Sequence, residues 1–338
     1  LEYIYGGTNS YPYLDDDLGS KILKNFLNKK MDEPWVFYCH LMDLKDPTVS
    51  TKNFDDKRFG KAAYDKNLSA LDVWIGKFLE CIDLTNTLFV ITADHGQHMP
   101  FDEKGTKDFE PEFKTELKIG KKLMPHSTHK FGAKMVVGLR NRIRDSRLKK
   151  ANEGLTPYQI RSRLPYFRLT LFDEAIRVPL LFVGKNIPSD KQISQQVANV
   201  DIFPTILDVL ELSDNLQRDG RSLIPYFRGD IMEEREVYLH TIPYVEKSID
   251  DKVGIRTPNY KYFRYAREPS ENVNLYDLEK DPQENNNIAS ENPEIVKEME
   301  GILEELTKNA TIESMDDMDD KRLKRIQEEL RLLGYKKT

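Results

Sequence analysis

Asp94 and His95 stand directly beyond an apolar, β-branched run, Thr87–Thr92, and Gly96 follows them. A carboxylate beside an imidazole can ligate a divalent cation, and a glycine at that point lets the chain turn away. Strands buried on both faces read as such continuous apolar runs. Open α/β sheets bind ligands outside the carboxyl ends of their strands, so the pair lies where such a fold places its chemistry. The plainer alternative is a strand-ending turn whose aspartate caps the next helix. A second polar group, His40, Asp43, Lys45 and Pro47, gathers past another apolar run, Trp35–Leu41. His40 can serve a site as an imidazole or sit in a core with its ring hydrogen-bonded. Lys45 offers a fixed cation to an anion.

The elements that must position these groups follow an α/β grammar. Leu68, Leu71, Ile75, Phe78, Leu79 and Ile82 recur at helical spacing and predict an amphipathic helix over Tyr64–Ile82. With the runs on either side it forms a strand–helix–strand unit, the signature of a parallel sheet. Asp15, Asp16 and Asp17 read as the acidic start of a short helix over 18–30 rather than as metal ligands. Arg177–Val183 is a strand entered through Pro179. Asp201 reads as the structural cap of a helix with Pro204 in its first turn, and Asp219–Arg221 as a turn.

Residues 99–168 interrupt this rhythm. From Lys118 to Arg168 there are fourteen Lys and Arg against only Asp145 and Glu153. The insertion is either a solvated surface excursion or a lid or docking surface for something anionic. EVYLHTI, KVGIRT, NYKYFRY and VNLYDL, within 236–277, predict a small antiparallel sheet, and 278–338 a charged helical tail. The chain is therefore divided into an α/β domain over 1–235, bearing the basic insertion, and a C-terminal sheet subdomain with its tail over 236–338.

The 338 residues suffice for a sizeable core. No apolar run approaches the ~20 residues that span a bilayer, and the net charge is −6. From Glu271 onward eighteen acids face ten bases, so nucleic acid is not an expected partner. Cys39 and Cys81 both lie in apolar segments and read as buried free thiols, which points to a reducing, cytoplasmic setting.

Taken in order, these stretches resemble the sulfatase family of the alkaline-phosphatase superfamily. FYCHLMDLKDP resembles its strand ending in H-x-x-D-P-H-x-P, and YDKNLSALDVWIGKFL its Tyr-Asp…Asp…Ile-Gly helix. VITADHGQH resembles the Asp-His-Gly metal motif, and LFDEAIRVPLLF the Tyr/Phe-Glu…Val-Pro-Leu strand entry. VANVDIFPTILDVLEL…DGRSLIPYF, YKYFRY…NLYDLEKDPQENNNIA and RIQEELRLLGY complete the series, which covers about residues 20–335 less the insertion. The resemblance implies an alkaline-phosphatase-like α/β sandwich with a mostly parallel central sheet and a small C-terminal antiparallel sheet.

It also implies hydrolysis of sulfate esters by a nucleophile set beside a divalent cation, which neutralises the anionic ester. By resemblance the metal would be calcium; a carboxylate with an imidazole suits Mn or Zn as well. Asp94 and His95 would be the ligands, with His40 in a supporting catalytic role. Lys45 falls where the family has a second histidine, and Arg168 where it has a lysine ten residues before the Val of Val-Pro-Leu. Both would bind the substrate anion, with Lys130 as a further candidate, and His129 or His126 could supply the imidazole absent at position 45. The family's nucleophile, a Cys or Ser of C/S-x-P-x-R converted to formylglycine, has no counterpart among these residues. The expectation is a C-terminal portion of a longer enzyme, inactive without the missing N-terminal segment. The same superfamily admits a phosphoester or phosphonate hydrolase, or a transferase of phosphorylated head groups. A non-catalytic binding relative is the remaining alternative.

Overall fold

The computed structural model describes residues 14, 17–28, 33–45, 50–97, 141–143, 145–162, 170–213, 216–241 and 251–308. They fall into two compact units: Leu1–Phe167 with Arg177–Ser189, and Arg168–Ile176 with Asp190–Thr338. The segments 1–235 and 236–338 do not coincide with these units.

In the first unit, α1 spans Asp17–Asn28 and α2 Ala63–Leu79. The α2 N-terminus is set by Asp65, whose Oδ2 accepts the backbone N–H groups of Lys61 and Ala62 at 3.1 and 3.0 Å, which also places an acid where the helix dipole favours one. Asn67, Ala70, Leu71, Trp74 and Phe78 form its buried stripe. Leu68, expected on that stripe, is 48% exposed, and Trp74 takes its place in the core. Phe78 lies 4.9 Å from Phe26, 5.7 Å from Phe37, 5.5 Å from Trp74 and 6.2 Å from Phe89, ring centroid to ring centroid. These contacts join α1, the 35–41 run, α2 and the strand after it into one core.

That strand, β1, spans Leu88–Thr92 and pairs antiparallel with β2, Leu180–Gly184, with Val90 opposite Phe182. At Gly184 (φ 107°) any Cβ would lie 2.1 Å from the Thr87 carbonyl oxygen, so the close end of the pair requires glycine. The mostly parallel central sheet that the sequence predicts is not shown among the described residues, and β1, predicted as buried on both faces, differs. Among the described residues β1 is half-buried and its one ladder is antiparallel. An apolar, β-branched run signals a strand but carries no information on the direction of its neighbour. The 35–41 run is not part of a ladder either. Phe37 and Leu41 pack on the core, whereas Val36 and Tyr38 are 93% and 83% exposed, the alternation of an extended chain. Cys39 is exposed, not buried, and both cysteines are free. Farther along, Thr156 and Gln159 exchange side-chain-to-backbone hydrogen bonds at 3.3 and 3.0 Å, a capping box that starts the short helix α3, Pro157–Ser162.

The second unit carries the predicted sheet. β3 (Val237–His240), β4 (Lys252–Arg256), β5 (Tyr260–Tyr265) and β6 (Asn274–Asp277) pair antiparallel in sequence order. α4 (Asp173–Ile176), α5 (Ile202–Val209) and α6 (Ile224–Arg228) belong to this unit, as does α7 (Pro293–Lys308), which buries Met299 and Leu303 against Ile255, Tyr262 and Leu275. Asp201 is structural, as expected, but it does not cap α5. Its carboxylate accepts the Ala198 and Arg221 N–H groups, both at 2.9 Å, and pairs with Arg235. Gly220 lies so close to the Val200 carbonyl that a Cβ would fall 1.9 Å from its oxygen, so the 219–221 turn is also a close backbone approach.

The central strand β5 is buried on both faces and carries a cation on each. Lys261, with no exposed surface, forms ion pairs with Asp173 and, at 2.6 Å, with the equally buried Glu284. Asp173 also meets Arg256 at 3.1 Å, and its backbone N–H donates to Glu284 at 2.7 Å. Burial alone would raise the Asp173 carboxyl, but the Lys261 ammonium and the Arg256 guanidinium overcome it and hold it below the ordinary value. At Glu284 burial wins and pushes the carboxyl up against the pull of Lys261. On the other face Arg264 and the Tyr262 hydroxyl donate to Glu300 of α7 at 3.0 and 2.6 Å. These bonds outweigh burial and lower the Glu300 carboxyl.

Lys261→Met should destabilise the second unit by about 3–5 kcal/mol, because it leaves the buried Glu284 without its cation and Asp173 with Arg256 alone. Urea denaturation should show this loss, and adding Asp173→Asn and Glu284→Gln should recover most of it. For Glu300 the sign runs with acid. A lowered folded value contributes stability above the unfolded carboxyl's ~4.3 and loses it as pH falls through the folded value. Melting temperatures between pH 7 and pH 3 should therefore fall less steeply in Glu300→Gln than in the wild type.

Candidate functional site

β1 ends at Thr92, and two residues on the chain presents Asp94 and His95, half-exposed, with side-chain exposures of 48% and 39%. The Asp94 Oδ1 accepts the His95 backbone N–H at 2.9 Å, which fixes the carboxylate against its own turn. The His95 Nε2 lies 3.8 Å from that same oxygen. Its Nδ1 is 2.7 Å from the Gly96 carbonyl oxygen. A carbonyl can only accept, so Nδ1 carries the proton and, in the neutral ring, Nε2 keeps its lone pair on the Asp94 side. A backbone carbonyl holding one ring N–H is a common way to set a histidine for metal ligation.

The 35–41 run brings the third group. His40, with 30% of its side chain exposed, places Nε2 4.0 Å from the other carboxylate oxygen of Asp94, Oδ2. His40, Asp94 and His95 thus come close to one another from the ends of two separate apolar runs. Lys45 is exposed at the end of the turn that follows, where its backbone N–H donates to the Met42 carbonyl at 3.0 Å. Arg168, Lys130, His129 and His126 lie outside the described residues.

Asp94 and His95 match a divalent cation in type, one hard oxygen donor and one imidazole nitrogen. They supply only part of a shell, since calcium takes 6–8 oxygens at roughly 2.3–2.6 Å. Among the described residues no group of three or more His, Cys, Asp or Glu is arranged to hold a metal ion.

Asp43, counted with this polar group in the sequence, turns inward instead. It is 2% exposed and its Oδ1 accepts the Leu14 N–H at 2.7 Å. Its backbone carbonyl accepts from Asn67, a residue the sequence reading passed over. The signal was present: Asn67 lies on the same helical stripe as Leu71, Trp74 and Phe78, and a polar residue in an apolar stripe must find partners.

The sulfatase family model matches residues 2–212, and a model described as N-sulphoglucosamine sulphohydrolase, C-terminal, matches residues 166–309. Arylsulfatase K of Mus musculus is 30% identical over 136 residues, which cover 38% of this chain and 25% of that protein. Delta 4,5-hexuronate-2-O-sulfatase of Bacteroides thetaiotaomicron is 30% identical over 130 residues, 36% of this chain and 26% of that one. The chain thus matches about a quarter of the length of these relatives. Two solved structures described under the metabolism of multiple glycosaminoglycans by Bacteroides thetaiotaomicron share the fold. They are 19% and 16% identical, cover 87% and 88% of this chain and 55% and 59% of their own, and reach TM-scores of 0.53 and 0.51. With a family model matched over more than half of its residues, the chain belongs to the sulfatase family.

Proposed function

We propose that this chain forms the metal-ligating and anion-binding part of a sulfuric ester hydrolase. The observation that carries the reading is the pair at the end of β1, a half-exposed carboxylate beside an imidazole whose Nδ1 is tied to the Gly96 carbonyl. Asp94 and His95 would hold a divalent cation, calcium by family resemblance. When bound, the cation would offset the negative charge of the ester oxygens. His40, whose Nε2 is 4.0 Å from the far oxygen of Asp94, would play a supporting role. Lys45 would meet the sulfate group; Arg168, Lys130 and His129 join it on the strength of the sequence alone. The names of the relatives, an arylsulfatase and a hexuronate 2-O-sulfatase, support a sulfate ester as substrate.

The nucleophile would come from a polypeptide segment outside these residues. No C-x-P-x-R or S-x-P-x-R occurs among the 338, and Cys39 and Cys81 are each followed by residues that do not fit the motif. The formylglycine of the family would reside there, with the remaining ligands of the cation. A binding protein without catalysis is the second reading, favoured by Lys45, which keeps the attraction for an anion but cannot exchange protons near neutral pH as a histidine does.

Two measurements test the proposal. The 338-residue chain alone should not hydrolyse a chromogenic aryl sulfate or aryl phosphate above background, and turnover by the purified chain would refute the division of labour. In the complete enzyme Asp94→Asn should lower kcat/KM for the aryl sulfate at least ~100-fold, as loss of a key charge-stabilising group does. Its effect on folding stability should stay within about 0.5 kcal/mol, because the side chain is half-exposed. An Asp94→Asn enzyme with wild-type kcat/KM would remove Asp94 from the site and, with it, the cation assignment.

A further inference from the structure

The chain between His40 and α2 is closed by a side chain that the proposed chemistry does not use. Asn67 has no exposed surface. Its Nδ2 donates to the Asp43 carbonyl at 3.0 Å, and its Oδ1 accepts the Thr51 N–H at 3.2 Å. Asp43 is held a second time, through the bond from the Leu14 N–H to its carboxylate at 2.7 Å. One amide thus joins Asp43 and Thr51, the two ends of the stretch that contains Lys45. Both backbone groups lie where water does not serve them, so each needs a protein partner. A leucine could do neither job, and an aspartate could accept from Thr51 but not donate to Asp43. Asparagine is a donor and an acceptor in one short side chain.

We infer that Asn67 is a positioning residue for the candidate site. It clamps Asp43 to Thr51, so that Lys45, two residues beyond Asp43, is presented as a fixed cation to the substrate anion. By the same clamp His40, three residues before Asp43, keeps its place against Asp94. The inference rests on the proposed anion-binding role of Lys45. Buried on α2, Asn67 acts through Asp43 and Thr51, which distinguishes it from Asp94, His95 and His40 at the site itself.

Hydrogen exchange and a sulfate titration, both read by NMR on the 338-residue chain, test this. In Asn67→Ala the Lys45 amide, bonded to the Met42 carbonyl, should exchange roughly tenfold faster, as loss of the hydrogen bonds that hold a local structure closed predicts. The β1 amides should keep their wild-type rates. Inorganic sulfate should shift Lys45 in the wild type and bind several-fold more weakly in Asn67→Ala. That weakening should vanish in a Lys45→Ala background, since two residues acting through one contact are not additive. Unchanged exchange at Lys45, or weakening that persists without Lys45, overturns the inference. A wild-type chain whose Lys45 ignores sulfate overturns the anion-binding role instead, while exchange still decides the clamp. If Asn67→Ala does not fold, Asn67→Asp keeps the acceptor for Thr51 and loses the donor to Asp43. It should show the same acceleration at Lys45, and a wild-type rate there overturns the proposal.

Discussion

The contact between Phe78 and its ring neighbours is the constraint on which the candidate site depends. Phe37 and Phe89 come from two runs far apart in sequence, and both reach Phe78 within about the range in which aromatic rings attract, centroids at 5.7 and 6.2 Å. Phe37 is three residues before His40, and Phe89 five before Asp94. Seating both rings on one helix face brings the two polar ends together, which is why an imidazole and a carboxylate from separate segments stand 4.0 Å apart. The packing energy is spent at one end of each run and the geometry appears at the other. Neither end has the burial to hold its own position: the side chains of Asp94, His95 and His40 are 48%, 39% and 30% exposed, and exposed ion pairs are worth little on their own.

The second unit is fastened in a different way. β5 has a covering layer on each face, and in each layer a carboxylate waits for a cation from the strand: Asp173 and Glu284 for Lys261, Glu300 for Arg264. Buried ion pairs are poor sources of net stability, because desolvation offsets most of the attraction. What they supply here is selection. Phe172 packs on Phe263 and Tyr276, and any apolar segment could cover those rings. Only a segment with an acid at the position of Asp173 also completes the pairing of Lys261 beside Glu284. A hydrophobic contact tolerates sliding, whereas an unpaired buried ammonium does not.

How far the sequence discloses this differs from element to element. α2 is legible because 3.6-residue periodicity reports burial directly, and the antiparallel sheet is legible because its strands alternate between turns. The error at Leu68 has a simple origin: the buried stripe runs through Asn67, Leu71, Trp74 and Phe78, one step to the side of Leu68, and periodicity alone does not fix its centre. The antiparallel partner of β1 is not legible, since the direction of a neighbour depends on topology. Lys261 in NYKYFRY reads as a solvent-facing strand residue, and only its pairing with residues distant in sequence buries it. At the site, Asp94, His95 and His40 were legible as residue types at the ends of apolar runs. The positioning of Lys45 was not, because it depends on Asn67, whose two bonds reach residues 24 and 16 positions away.

The proposed chemistry divides along the same line between what is charged and what can move a proton. Asp94 alone would repel an anionic ester; a divalent cation on Asp94 and His95 would reverse the sign. At about 4 Å each unit of charge is worth ~1 kcal/mol in water and ~4 kcal/mol at a protein surface. Such a cation would therefore decide whether an anion stays. In that proposal the Gly96 carbonyl matters because it accepts from Nδ1, so that Nε2 would be the nitrogen that meets the metal ion. Lys45 adds attraction but no proton shuttle, since an ammonium near neutral pH holds its protons. Of the site groups within the described residues, His40 is the imidazole that stands beside the candidate pair without being proposed as one of its ligands. Its Nε2 faces the carboxylate that would hold the cation, 4.0 Å from Oδ2, on the side away from the His95 ring.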